Sequence, residues 1–148
     1  MARPDISPDE GTITGKPHEA ALAGLKEWHR IAEHRDWKSL PGLLAENVVF
    51  RNPASADIYR GSQPMVAILE AVFSVMQDFT YLRHFSSNSG FVLEFSAQVD
   101  EEHLSGVDLI EFDQSGKITD FMVMMRPADV VHNLSAKAAQ HLAIAHLP

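Results

Sequence analysis

The chain has 148 residues, no cysteine and a formal charge of −8 at pH 7, from 20 acidic against 12 basic side chains. That length suits one domain, and 45% hydrophobic with 22% charged residues is the composition of a folded globular protein rather than a disordered one. The negative balance offers nothing to a phosphate backbone or an anionic bilayer, so nucleic acid and membrane are not expected partners, and the missing cysteines exclude disulfides, thiolate zinc sites and cysteine nucleophiles.

Residues 1–16 scatter Pro4, Pro8, Gly11 and Gly15 among polar side chains and read as a flexible tail ahead of a single domain over 17–148. This opening has neither the apolar segment nor the small-residue cleavage site of a secretion signal, and no later apolar run approaches the ~18 residues that span a bilayer. A cytoplasmic protein is the expectation.

From Pro17, a residue suited to a first helical turn, Ala21, Leu22, Leu25, Trp28, Ile31 and Ala32 recur at helical spacing up to about Arg35. Ser39 with LPGLLAE predicts a short second helix, followed by the strand ENVVFRN and a brief strand at DIYR. Gly61 and Ser62 open a third helix to about Gln77, with Met65, Leu69, Val72 and Met76 as its stripe.

The period then shortens to about two, with breaks at SSNSG, DEEH and DQSG between four strands, FTYLRHFS, GFVLEFSAQV, LSGVDLIEFD and KITDFMVMMR. Short breaks between long strands imply antiparallel hairpins. A last helix begins at Pro127 and Asp129 and carries Val130, Val131, Leu134, Ala138, Leu142 and Ala145 on its apolar side. Helices first and a long meander after make an α+β layout with helices on one face of the sheet. The run Phe121 to Met125 is apolar on both strand faces, which predicts a second cover on the sheet, supplied by a homodimer built sheet to sheet.

The segments HRDWKSLPGLLAENVVFRNP and SGVDLIEFDQSGKITDFMVMMRP, in this order of elements, resemble the nuclear-transport-factor-2-like superfamily and its SnoaL-like group over about His18 to Leu142. The resemblance implies a cone: a curved antiparallel sheet wrapped around about three N-terminal helices, with a C-terminal helix and an apolar pocket at the open end. The superfamily includes isomerases, dehydratases, cyclases, epoxide hydrolases and non-catalytic members, so the site residues must decide function.

Steroid isomerases of the superfamily keep a base just before a proline where this chain has Asn52, a tyrosine where it has Trp28 and a protonated acid where it has Asp108. An amide cannot shuttle a proton near neutral pH. Limonene-type epoxide hydrolases resemble the chain at Asn52, which in them helps hold the attacking water, but Phe50 and Val123 replace their tyrosine and last-strand acid. Asp108 shares a strand face with Ile110 and Phe112, so its carboxyl is expected in an apolar interior with a raised pKa. It either serves the pocket or pairs with a His, Tyr or Trp in the core.

His84 is the histidine placed to join Asp108 as acid and base, on a strand parity shared with Thr80 and Leu82; His103 belongs to the DEEH turn. Tyr59 and Tyr81 are the phenols that could contribute. The candidate catalytic set is therefore Asp108, Asn52 and His84, and the ligand-binding set Trp28, Phe50, Tyr59, Ile110 and Val123. Histidines five apart, His29 with His34 and His141 with His146, do not share a helix face, so no metal is expected. No phosphate loop, nucleophile elbow or dinucleotide fingerprint is present, and no cofactor is expected. These readings converge on a small apolar organic ligand, with or without isomerisation, dehydration or hydrolysis. The alternative is a non-catalytic carrier or dimeric interaction module.

Overall fold

Helix α1 (Glu19–His34) opens the part of the chain, residues 16–145, that the computed structural model describes. The tail expected over 1–16, apart from Lys16, and His146 lie outside the described residues, as does the side chain of Ala145. His18 caps α1 by accepting the Ala21 N–H on Nδ1 at 3.1 Å, and Arg35, left-handed at φ 55°, ends it with its N–H on the Ile31 carbonyl. Ala21, Gly24, Leu25, Trp28, Ile31 and Ala32 are the buried stripe. Gly24 is required by close approach: a Cβ there would lie 2.5 Å from the Gly116 carbonyl and 2.6 Å from the Phe112 ring.

The expected second helix forms as a 3-10 helix at Trp37–Leu43, with Pro41 inside it. Strand β1 (Leu44–Arg51) therefore starts two residues before ENVVFRN. Then come β2 (Ile58–Arg60), α2 (Ser62–Val75), β3 (Gln77–Ser86), β4 (Gly90–Val99), β5 (Glu102–Phe112), β6 (Ile118–Arg126) and α3 (Ala128–Ala145). The turn expected at DEEH is only Asp100 and Glu101, both at positive φ as a two-residue hairpin turn prefers. His103 is consequently an exposed residue of β5 opposite Gln98.

The six strands form one sheet in the order β2-β1-β6-β5-β4-β3, antiparallel except for the β1–β6 pair, which is parallel. One face curves around α1, α2 and α3. On it Phe91, Ile110, Phe121, Phe50 and Tyr59 lie opposite one another across five strands, and the next row holds Leu93, Asp108 and Val123. Trp28 from α1 packs edge-on against Phe121 with ring centroids 5.1 Å apart. The other face carries Phe85, Val92, Leu109, Met122, Arg51 and Ile58 in register across all six strands, and Phe85, Ile58 and the neighbouring Met124 are exposed.

Candidate ligand cavity

Two polar features stand apart on the helix-covered face, a buried hydrogen-bonded chain and an open cavity. In the chain, the Trp28 indole N–H donates to the Tyr81 hydroxyl at 2.9 Å, and that hydroxyl donates to Asp108 Oδ2 at 2.6 Å. Trp28 has no exposed surface and Asp108 keeps 5%. Burial lifts the Asp108 carboxyl to about 7, although the bond from Tyr81 pulls the other way. The Tyr81 phenol is likewise held well above its usual range, first by burial and then by the Asp108 charge. Each group satisfies the next, which is how a folded core tolerates polar atoms.

The cavity lies on the other side of the cone, over β1, β2 and β6 and beneath α2 and α3, with a volume of about 330 Å³. Its wall is hydrocarbon from Phe50, Leu69, Val72, Val123, Leu134 and Ala138, among others. Its polar groups come from two places: Asn52, Ser55, Asp57 and Tyr59 on the β1–β2 connection and β2, and His132 and Ser135 on the first half of α3. Sequence order explains this placement. The break at Pro53 ends β1, so a polar loop sits at the rim, while the Val131, Leu134, Ala138 stripe turns α3 inward and brings the flanking His132 and Ser135 with it.

The rim loop is internally tied. Asn52 Oδ1 accepts the Ala54 N–H at 2.8 Å, the Asn52 N–H donates to the Asp57 carbonyl at 3.2 Å, and the Ser55 hydroxyl donates to the Asp57 carboxylate at 2.9 Å. This is an Asx turn closed into a short loop.

Of the candidate residues, Asn52, Phe50, Tyr59 and Val123 line this one cavity. Asp108, Trp28 and Ile110 do not. Ile110 is core at 1% exposure, and Asp108 sits opposite Val123 in the β5–β6 register, one strand behind the cavity wall. His84 departs furthest from expectation. The register of β3 slips between Tyr81 and His84, so His84 faces Leu93 on the same sheet face as Tyr81 rather than following Thr80 and Leu82. It is exposed, and its electrostatic neighbour is His29 on α1, whose pKa is lowered first by burial and then by His84. A second hollow of about 410 Å³, lined by His29, Ala32, Glu33, Arg35, Phe79 and Tyr81, is separate from the cavity.

Asp57, His132 and Ser135 were not singled out from the sequence. The available signal was positional: Asp57 directly precedes β2, and His132 and Ser135 are three apart beside the apolar stripe of α3. Among the described residues no group of three or more His, Asp or Glu side chains is arranged to hold a metal ion, and no helix is long and apolar enough to cross a membrane.

The family model for the SnoaL-like domain matches residues 25–121. Among solved structures, a steroid delta-isomerase from Pseudomonas aeruginosa is 39% identical, with a TM-score of 0.85 over 89% of this chain and 98% of that one. An uncharacterised protein with a cystatin-like fold from Silicibacter pomeroyi is 30% identical, with a TM-score of 0.78 over 83% of this chain and 87% of that one. A SnoaL-like polyketide cyclase from Shewanella denitrificans, so named as putative, shares the fold at 13% identity, with a TM-score of 0.60 over 84% of this chain and 99% of that one. A search of curated proteins finds no match.

Proposed function

Because the chain belongs to the SnoaL-like domain family, we propose that it binds a small, largely apolar organic molecule in the cavity beneath α3. One observation supports this: a hydrocarbon-walled space of about 330 Å³ whose polar groups are gathered on the β1–β2 side and the first half of α3. Such a division takes up an apolar body and orients a polar end. At about 0.8 kcal/mol per buried CH₂, a ten-carbon ring system gains roughly 8 kcal/mol before the costs of association are subtracted. Against an association cost of about 4 kcal/mol or more, hydrocarbon burial alone sets the expectation at millimolar affinity.

The test is calorimetry and thermal shift with steroids, terpenoids and bicyclic aromatics on the wild type and on Ala138→Phe, which fills the cavity. A bound compound should lose at least tenfold in affinity in the variant. Equal affinity in both proteins would place the ligand elsewhere and end this reading.

A second reading, catalysis, is favoured by the 39% identity with a protein named as a steroid delta-isomerase. Asn52 cannot take a proton, and Asp108 and His84 do not line the cavity; its lining carboxylate is Asp57. Conversion of a β,γ-unsaturated 3-ketosteroid to its conjugated isomer, followed by enone absorbance and lost in Asp57→Asn, would establish turnover. A flat trace with measurable binding leaves the protein a carrier.

The sheet-to-sheet homodimer is proposed on the outer-face row of Phe85, Val92, Leu109, Met122 and Ile58, of which Phe85 and Ile58 are exposed and the rest half-buried; Arg51, paired with Asp120, interrupts the row on β1. Size-exclusion chromatography with light scattering should give a dimer at micromolar concentration and a monomer for Leu109→Lys. A wild-type monomer would overturn the proposal.

A further inference from the structure

We infer that the cavity selects ligands that end in a hydroxyl group, an alcohol or phenol, over ketones and carboxylates. The inference rests on the proposed ligand cavity and adds which polar end it takes.

It follows from what the rim can still offer. Asn52 Oδ1 already accepts the Ala54 N–H at 2.8 Å and keeps one lone pair, so the amide NH₂, with two protons, is the larger offer Asn52 can make to a ligand. Asp57 is the reverse: an ionised carboxylate only accepts, and the Ser55 hydroxyl takes one of its oxygens at 2.9 Å. The Asn52 N–H bond to the Asp57 carbonyl at 3.2 Å pins the two ends of the loop together, so this donor and this acceptor share one short stretch of rim. His132 and Ser135, across from them on α3, can each donate or accept and do not discriminate.

A hydroxyl accepts from Asn52 and donates to Asp57. A ketone oxygen has no proton for Asp57 and sets a lone pair against a carboxylate. A carboxylate ligand meets Asp57 with like charge, and among the described residues no Lys or Arg lines the cavity to offset it. An apolar ligand leaves both rim groups to water. Asp57 and Ser55 are exposed and Asn52 is half-buried, so water serves a rim group that a ligand leaves unpaired, and the preference is about the worth of one hydrogen bond rather than a full desolvation penalty.

The experiment is calorimetric titration with four compounds of one bicyclic skeleton: tetralin, 2-tetralol, 2-tetralone and tetralin-2-carboxylate. For the wild type, 2-tetralol should bind about tenfold more tightly than 2-tetralone, with the carboxylate weakest. In Asp57→Asn the new amide can donate as well as accept, so the ratio of alcohol to ketone affinity should fall toward one. In Asn52→Ala alcohol and ketone should weaken together. A wild type that prefers the ketone, or an alcohol preference that survives in Asp57→Asn, overturns the inference while tetralin binding keeps the cavity reading intact. Failure of all four compounds to bind overturns the cavity reading itself, and this inference with it.

Discussion

Replacing Asp108 by asparagine isolates the cost of a buried charge. An exposed aspartate titrates at 3.8, whereas Asp108 is raised to about 7 by burial. Between those values the folded protein still holds the proton that the unfolded chain has released. Rising pH therefore favours unfolding through this window, and above about 7 the loss is constant. The separation amounts to roughly 4 kcal/mol in total, of which about 2–3 kcal/mol falls between pH 5 and pH 8. The amide introduced by Asp108→Asn would retain an oxygen for the Tyr81 hydroxyl, which sits 2.6 Å from the native carboxylate, and it has no charge to bury.

The variant should therefore gain stability over the wild type by about 2–3 kcal/mol more at pH 8 than at pH 5. Urea denaturation of both proteins at the two pH values measures this. His29 and the other titrating groups are common to both proteins and cancel in the comparison. A stability difference that is the same at pH 5 and pH 8, or that moves against the variant at pH 8, would refute the assignment of Asp108 as a buried acid that holds its proton up to about 7.

Tyr81→Phe should cost more than a simple loss of packing, about 2–4 kcal/mol in urea unfolding, because it strands the Trp28 N–H and the Asp108 carboxyl together. Gly24→Ala should lower the unfolding free energy by about 1–3 kcal/mol with an unchanged denaturant slope, since its Cβ would meet the Gly116 carbonyl at 2.5 Å. Val123→Ala should open the cavity toward Asp108, its cross-strand neighbour. The ratio of variant to wild-type affinity for an uncharged ligand should then change near pH 7 in calorimetry, since His132 is common to both proteins.

The helices and strands were legible because each follows a local rule. Spacing of three and four along Ala21 to Ala32 and alternation along Leu93 to Val99 record which side of each element faces the core, and those sides are buried as the periodicity requires. The inward face of Asp108 was legible for the same reason: strand parity with Ile110 and Phe112 places all three on the buried side. The rim at Asn52 and Pro53 was marked by an apolar strand that stops at a polar turn.

Parity says which face a side chain takes, but not which neighbour stands in front of it. Asp108 faces inward and is still one strand behind the cavity wall, because Val123 lies opposite it and Tyr81, brought by a strand 27 residues earlier, takes its carboxylate. His84 departs from its expected face because a register slip reverses the alternation, and a slip depends on the pairing of β3 with β4 rather than on residue type. Asp57 and His132 meet at one cavity only because β1–β2 and α3 are packed over the same end of the sheet. Local pattern thus determined the elements and their buried faces, while the crossing of strands and helices decided which polar groups became a core bond and which became the rim of a ligand site.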